Sequence, residues 1–101
     1  MNYVSQESLT LSEGGTSEKV SMSTTSATSA AAYNGPYIIV TVDAACFARQ
    51  GGVNGAAVTA VNTGSDQALL ANCQYRFPWR DNRKIAFIMA SGTGNAYITQ
   101  G

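Results

Sequence analysis

The sequence predicts an all-β fold, a small β-sandwich or jelly-roll-like domain of about six to eight short strands. Apolar runs alternate with a period of two, turn-forming Gly, Asn and Asp separate these runs, and no run has the 3.6-residue period of an amphipathic helix. A chain of 101 residues has room for one core. We therefore expect a single domain over residues 1–101, with residues 1–7 as a flexible N-terminal arm.

The first predicted elements occupy residues 8–36. In "SLTLSEGGTSEKVSMS", residues 8–23, apolar and polar residues alternate on both sides of Gly14-Gly15, which predicts a hairpin with these glycines in its turn. Residues 24–36 are rich in Ser, Thr and Ala and end in Gly-Pro. Because Ser and Thr compete for the backbone hydrogen bonds of a helix, we expect an extended or looping segment there.

The strongest strand signal runs from Tyr37 to Gln50, where both faces are partly apolar, as expected of a central strand. An unbroken pleat of this length would span roughly 40 Å, more than so small a domain accommodates. We expect a bend or bulge near Asp43-Ala44-Ala45, which decides whether Cys46 or Phe47 points inward.

Four further strands are predicted between turns that contain Gly, Asn or Asp. A short strand passes through Val58 and Val61. Residues 69–77 form one strand, which Pro78 ends because proline cannot donate to a ladder. After the turns "RDN" and "SGTGN", strands run through residues 85–89 and 96–98. In the strand over 69–77 the predicted inward face consists of Leu69, Ala71, Cys73, Tyr75 and Phe77.

Composition favours a subunit of an assembly. Charged residues make up 12% of the chain, against about 25% in typical soluble domains. A surface of small neutral residues keeps proteins apart poorly and packs well against a partner. The formal net charge is zero, which gives no support to nucleic-acid binding.

Residue types that perform chemistry are few. The chain has no histidine, and Asp43, Asp66 and Asp81 each lie at a predicted bend or turn, where Asp caps backbone amides. Cys46 and Cys73 match no zinc spacing and have no adjacent cation. A disulfide between them is the alternative, but for a chain made in the cytoplasm we favour two buried, reduced thiols. We expect no catalytic residue, metal, cofactor or small-molecule substrate.

The chain opens with "MNYVSQESLT", which lacks the basic start and apolar core of a signal peptide. No apolar run approaches the roughly 18 residues of a membrane helix. We expect a soluble protein that is made in the cytoplasm.

One stretch is a candidate functional site. In residues 75–84, which we call the elbow, aromatic and basic residues are interleaved. Its candidate interface residues are Tyr75, Arg76, Trp79, Arg80, Arg83 and Lys84. Three interpretations stay open: a solvated hairpin with Trp79 covering the end of the core, a protein interface, or a single-stranded nucleic-acid site. In the interface hypothesis Trp79 and Arg80 leave the ladder after Pro78 and lie exposed on one tip, where they anchor a neighbouring subunit.

Three stretches resemble small accessory proteins of tailed-phage virions: "GPYIIVTVDAACFARQG", "TGSDQALLANCQYRFPW" and "KIAFIMASGTGNAYITQG". In that family a strand with a Cys-aromatic-x-Arg-Gln-Gly-like end precedes a variable loop, and Cys46 to Gly51 match that end. The matching positions that follow are Leu70 to Asn72 and Ile85 to Thr99. The resemblance is one of strands and turns, and it covers roughly residues 8–101.

The resemblance implies a non-enzymatic β-sandwich subunit of the virion that decorates or cements a capsid. Its partners would be the major capsid protein or copies of itself, in a homo-oligomer. Two alternatives stay open. One is a neck or tail subunit, and the other is a carbohydrate-binding module, for which Trp79 with Asp81 and Asn82 comes closest to a sugar site.

Overall fold

The computed structural model describes residues 17–55, 58–61 and 66–101, and strands dominate these ranges. The strands are β1 (Ser17–Met22), β2 (Ala27–Thr28), β3 (Tyr37–Val42), β4 (Cys46–Gln50), β5 (Gln67–Leu69), β6 (Cys73–Pro78), β7 (Ile85–Ile88) and β8 (Gly94–Gln100). A 3-10 turn spans Val53–Gly55. The predicted all-β fold is confirmed. The proposed N-terminal arm, the first strand of the predicted hairpin and its Gly14-Gly15 turn lie outside the described residues.

The strands form two antiparallel sheets of four strands each. The first sheet has the order β1-β8-β3-β6, and the second has the order β2-β7-β4-β5. Ile38, Val40 and Val42 of β3 are fully buried and pack in one cluster with Phe87 of β7 and Leu69 of β5. Because this cluster draws on both sheets, the core lies between them, which is the arrangement of a β-sandwich.

The long apolar stretch from Tyr37 to Gln50 is two strands in different sheets. β3 belongs to the first sheet and β4 to the second, so the predicted bend at residues 43–45 carries the chain across the sandwich. The carboxylate of Asp43 accepts the backbone N–H of Asn95 at 2.7 Å and holds this crossing against β8. Beyond the bend Cys46 points inward and Phe47 is half-buried on the other face.

The single strand predicted over residues 69–77 is wrong. Leu69 ends β5 in the second sheet, and β6 begins at Cys73 in the first sheet. The chain turns between them at Ala71 and Asn72, and Asn72 has a φ of 59°, a left-handed conformation that Asn tolerates better than most residues. The alternation within β6 is confirmed, as is its end at Pro78.

A second small cluster explains why β7 is buried on both faces. Ala86 and Ile88 of β7 pack with Ala60, and Phe47 and Val58 are partly buried against them. Residues 58–61 thus cover the outer face of the second sheet. They contain no strand, so the strand predicted through Val58 and Val61 is wrong for the described residues 58–61. Packing on both faces gives β7 its continuous apolar sequence.

Hydrogen bonds and an ion pair hold this covering segment in place. The Asp66 carboxylate accepts the Val61 N–H at 2.7 Å and pairs with the Arg49 guanidinium at 2.6 Å. The Ser26 hydroxyl oxygen accepts the Ala60 N–H at 2.9 Å. The amide-capping role predicted for Asp66 is confirmed, with an ion pair added to it.

At the β1 side of the sandwich, a carboxylate ties β1 to the segment between β2 and β3. Glu18 of β1 accepts the backbone N–H groups of Ala30 and Ala31 at 2.9 and 3.0 Å and the hydroxyl of the buried Tyr33 at 2.6 Å. Burial by itself raises the pKa of Glu18. The three donors and the charge of Lys84 together lower it by more than burial raises it, so the pKa lies below its ordinary value. The charged form of Glu18 is therefore the one that the fold stabilises.

We predict that Glu18→Gln destabilises the domain by about 1–3 kcal/mol at neutral pH, because the amide offers one acceptor oxygen to the three donors that the carboxylate serves. Since the folded-state pKa is depressed, this contribution is present above the pKa of the unfolded chain and is lost as the pH falls through the folded pKa. Urea unfolding near pH 7 and near pH 3 measures both effects. The control is Lys19→Gln at the neighbouring exposed position. If the wild type exceeds Glu18→Gln in free energy of unfolding by the same amount near pH 3 as near pH 7, the stabilising role of the charged Glu18 is contradicted.

Candidate interaction surface

The structure does not place the six predicted elbow residues on one exposed tip. It buries one, holds two against the chain, directs one towards the core and leaves two in solvent. Trp79 is the buried residue, with 5% of its surface exposed. Its backbone N–H donates to the Pro36 carbonyl at 3.0 Å, and its indole N–H donates to the Arg83 carbonyl at 3.0 Å. The expectation that Trp79 is exposed is therefore wrong, and its indole covers the end of the core.

Gly35 shows how closely the chain packs over Trp79. A side-chain carbon at this position would lie 1.6 Å from the Trp79 carbonyl oxygen, and the φ of Gly35 is +97°. Both the approach and the conformation require glycine. The Gly-Pro pair that ends the Ser- and Thr-rich segment thus seats that segment on the elbow.

The turn of the elbow is confirmed at Asp81 and Asn82, which have φ angles of 67° and 55°. Next to it Arg83 is drawn back onto the chain: its guanidinium donates to the Gly51 carbonyl at 3.0 Å and lies 3.6 Å from the Asp81 carboxylate. Among the described residues, the Asp81 carboxylate contacts the Arg83 guanidinium and no backbone amide. The prediction that Asp81 caps a backbone amide is therefore wrong for the described contacts. Lys84 is half-buried, and its charge acts on Glu18.

Tyr75 belongs to the inner face of β6. Its ring stacks on Phe77 with centroids 6.0 Å apart, and both rings pack against the core cluster. The Tyr75 hydroxyl oxygen accepts the Leu70 N–H at 2.7 Å. Tyr75 therefore holds the connection between β5 and β6.

Arg76 and Arg80 are the exposed members of the elbow. The Arg76 guanidinium lies over the Tyr37 ring, 3.9 Å from its centroid, which is a cation–π contact. Arg80 has no partner among the described residues. Arg76 is thus held in one orientation on the sheet, whereas Arg80 is a solvated cation at the end of the sandwich.

Arg76 lies on a larger surface, the outer face of the first sheet. The register of the four strands aligns its side chains in rows. These rows are Ser17–Thr99–Ile39–Arg76 and Lys19–Tyr97–Thr41–Gln74, with Tyr37 and Pro78 beside them. Tyr97 is 46% exposed at the centre of this face. Lys19 and Arg76 are the charged residues in these two rows, so this part of the outer face combines neutral and aromatic side chains with two cations. The Asp43 carboxylate lies at its end, bound to Asn95.

This outer face was not predicted from the sequence as a binding surface. The alternation of β3 and β8 carried a signal for it, because Tyr37, Ile39 and Tyr97 occupy the positions opposite the predicted core residues. Aromatic and aliphatic residues on the solvent face of a sheet are the ones that a partner covers.

A cleft of about 240 Å³ opens on the side of the sandwich where β5 and β6 are the outermost strands. Phe77, Trp79, Ile85 and Ala48 provide its apolar lining, and Gln67 lies among its polar residues. Small-molecule sites usually enclose about 300–1,000 Å³. The cleft is suited to a single apolar side chain better than to a whole ligand.

The remaining candidate groups have structural surroundings. Asp43 caps a backbone amide as predicted. Both cysteines are free thiols, with Cys46 buried and Cys73 half-buried, and burial raises the pKa of the Cys46 thiol to about 11. Cys46 is therefore protonated at neutral pH and a poor nucleophile. In the described ranges no group of three or more His, Cys, Asp or Glu side chains is arranged to hold a metal ion.

Comparison with known proteins finds no matching family model, no matching curated protein and no matching solved structure. No helix in the described part of the chain has the length and apolar character needed to cross a bilayer.

We predict very unequal effects on stability for substitutions of the two neighbours Trp79 and Arg80. Trp79→Ala empties the end of the core and removes the donor to the Arg83 carbonyl, so it should lower the free energy of unfolding by about 3–5 kcal/mol. Arg80→Ala removes a solvated side chain and should change it by less than about 0.5 kcal/mol. Urea unfolding followed by far-UV circular dichroism makes the comparison. Equal and small effects of both substitutions would show that Trp79 is not part of the core.

Proposed function

We propose that this chain is a non-enzymatic structural protein of a tailed-phage virion, and that it decorates or cements the capsid by binding through the outer face of its first sheet. The observation that carries this proposal is the contrast between the two sheets. Residues 58–61 cover the second sheet, whereas the outer face of the first sheet has no covering segment among the described residues. The resemblance of three stretches to accessory virion proteins supports the biological setting.

The chemistry of the outer face favours a protein partner with an acidic or amide-rich surface. Tyr97 offers a large contact area with few rotatable bonds, and Ile39 beside it is half-buried already. Within the rows described above, Lys19 and Arg76 are the charged residues and both are cations, while the Asp43 carboxylate just beyond β3 is bound to Asn95. A partner with carboxylates or side-chain amides at these positions would complement them.

Arg76 suits such a contact because its orientation is set before binding. The Tyr37 ring beneath it limits the rotamers of the guanidinium, so less side-chain entropy is lost when it pairs with a carboxylate. The outer face is also rigid, because its central strands β8 and β3 are hydrogen-bonded to neighbours on both sides. Rigid surfaces of this kind suit a subunit that must bind many identical sites on a particle.

The prediction that tests this proposal compares exposed residues on two surfaces. Tyr97→Ala and Arg76→Ala should each weaken binding to particles by about 2 kcal/mol, since each removes a large exposed side chain of the proposed contact surface. Arg80→Ala is the matched control, because it removes an exposed arginine from the end of the sandwich. The assay adds each purified protein to virions produced without this gene and quantifies the bound copies after sedimentation.

Two outcomes would count against the proposal. If the wild-type protein does not bind particles, the virion role fails. If Arg80→Ala weakens binding and Tyr97→Ala does not, the elbow rather than the outer face contacts the capsid.

A further inference from the structure

β6 is an edge strand with the length of a central one. It has six residues and pairs with β3 on one side. On its other side no strand of the described chain pairs with it, since β6 ends the order of the first sheet. Exposed edges of this length attract further strands, and most proteins shorten or cover them.

Two hydrogen bonds establish which backbone groups point away from the sheet. The Trp79 N–H donates to Pro36, and the Gly101 N–H donates to Tyr37. Because N–H and C=O groups alternate in direction along a strand, even-numbered β3 residues face β6 and odd-numbered ones face β8. In β6 the odd-numbered residues therefore bond to β3. The N–H and C=O groups of Gln74 and Arg76, and the C=O of Pro78, point outward.

The position of Pro78 restricts what this edge can bind. Pro78 occupies an outward-facing position, where its missing N–H breaks no bond within the sheet. The outward donors of β6 are therefore those of Gln74 and Arg76, placed one residue on either side of Tyr75. Such an edge is symmetric about Tyr75, so a second antiparallel copy of itself can satisfy every donor.

We propose that two copies of this chain associate through β6, antiparallel and about a two-fold axis that passes between their Tyr75 residues. Gln74 of each copy then exchanges two backbone hydrogen bonds with Arg76 of the other. The two first sheets join into one continuous sheet, and their outer faces become one surface. This goes beyond the proposed function, because it concerns how two copies of the chain join and not how either copy binds the capsid.

The outward side chains favour a second copy in this register. Gln74 and Arg76 are both exposed on the outer face. In the pairing each Gln74 amide lies opposite an Arg76 guanidinium, which can donate to its carbonyl, and no like charges are directly opposed. A two-fold axis also forms every contact twice, which compensates for an edge with so few donors.

The same register brings two apolar features together. Leu70, 67% exposed, lies in the connection just before β6, and the cleft of about 240 Å³ adjoins Phe77 and Trp79 at the other end of the strand. Antiparallel pairing places the Leu70 connection of each copy beside the cleft of the other. The exposed Leu70 of each copy can therefore enter the cleft of the other copy, which is suited to one apolar side chain.

The test changes the charge at one exposed position in opposite directions. Gln74→Arg places two arginines opposite each other twice per dimer and should raise the dissociation constant roughly 2- to 30-fold. Gln74→Glu places a carboxylate opposite each Arg76 and should lower it by a similar factor. The double variant Gln74→Arg with Arg76→Glu restores opposite charges and should dimerise at least as tightly as the wild type. Sedimentation equilibrium over a concentration series measures all four, and circular dichroism confirms that each is folded.

A cross-linking experiment tests the register. In a Cys73→Ser background, a mixture of Gln74→Cys and Arg76→Cys chains should form disulfide-linked heterodimers on oxidation, because these positions lie opposite each other across the axis. Each variant alone should cross-link poorly.

A wild-type chain that stays monomeric at millimolar concentration would overturn the inference, as would a dimer that ignores the charge series. Failure of this inference is distinguishable from failure of the proposed function. A monomeric chain that still binds virions leaves the virion role standing, whereas a β6-paired dimer that does not bind virions contradicts that role alone.

Discussion

The carbonyl oxygen of Arg83 is the contact on which the end of the sandwich depends. It accepts the Tyr33 N–H at 2.8 Å and the Trp79 indole N–H at 3.0 Å, and the Tyr33 hydroxyl continues the network to Glu18 in β1. Hydrogen bonds therefore connect the first strand, the segment before β3 and the elbow. Because each of these buried polar groups has a partner, an indole and a tyrosine can close an apolar core without leaving unpaired donors.

This closure decides which residues are left for binding. Trp79 and Arg83 make hydrogen bonds within the chain. An exposed aromatic side chain and an exposed basic one lie instead on the outer face of the first sheet, at Tyr97 and Arg76. The second sheet is covered by its own chain through the Arg49–Asp66 ion pair. The two faces of the sandwich are thus unequal, and the open face and open edge belong to the same sheet.

The sequence predicts most of the strands but not the sheet that each one joins. Period-two alternation identified β3, β6 and β8, because each of these strands has one buried face. Alternation carries no information on which sheet a strand joins, so the break at Asn72 between β5 and β6 was missed. The burial of Trp79 agrees with one of the interpretations left open, an indole that covers the end of the core, but local pattern could not select it. The backbone contacts that place Trp79, with Pro36 and Gly35, come from more than forty residues away along the chain, whereas the indole bond to the Arg83 carbonyl spans four residues.

The most direct test is the rate of amide hydrogen exchange along β6, monitored by NMR in dilute and in concentrated solution. In dilute solution the amides of Tyr75 and Phe77 should exchange slowly, because they donate to β3, while those of Gln74 and Arg76 exchange fast. In concentrated solution the second pair should become protected as copies associate. Equal protection of all four amides in dilute solution, or fast exchange at Gln74 and Arg76 at every concentration, would contradict the account of an open edge that pairs with itself.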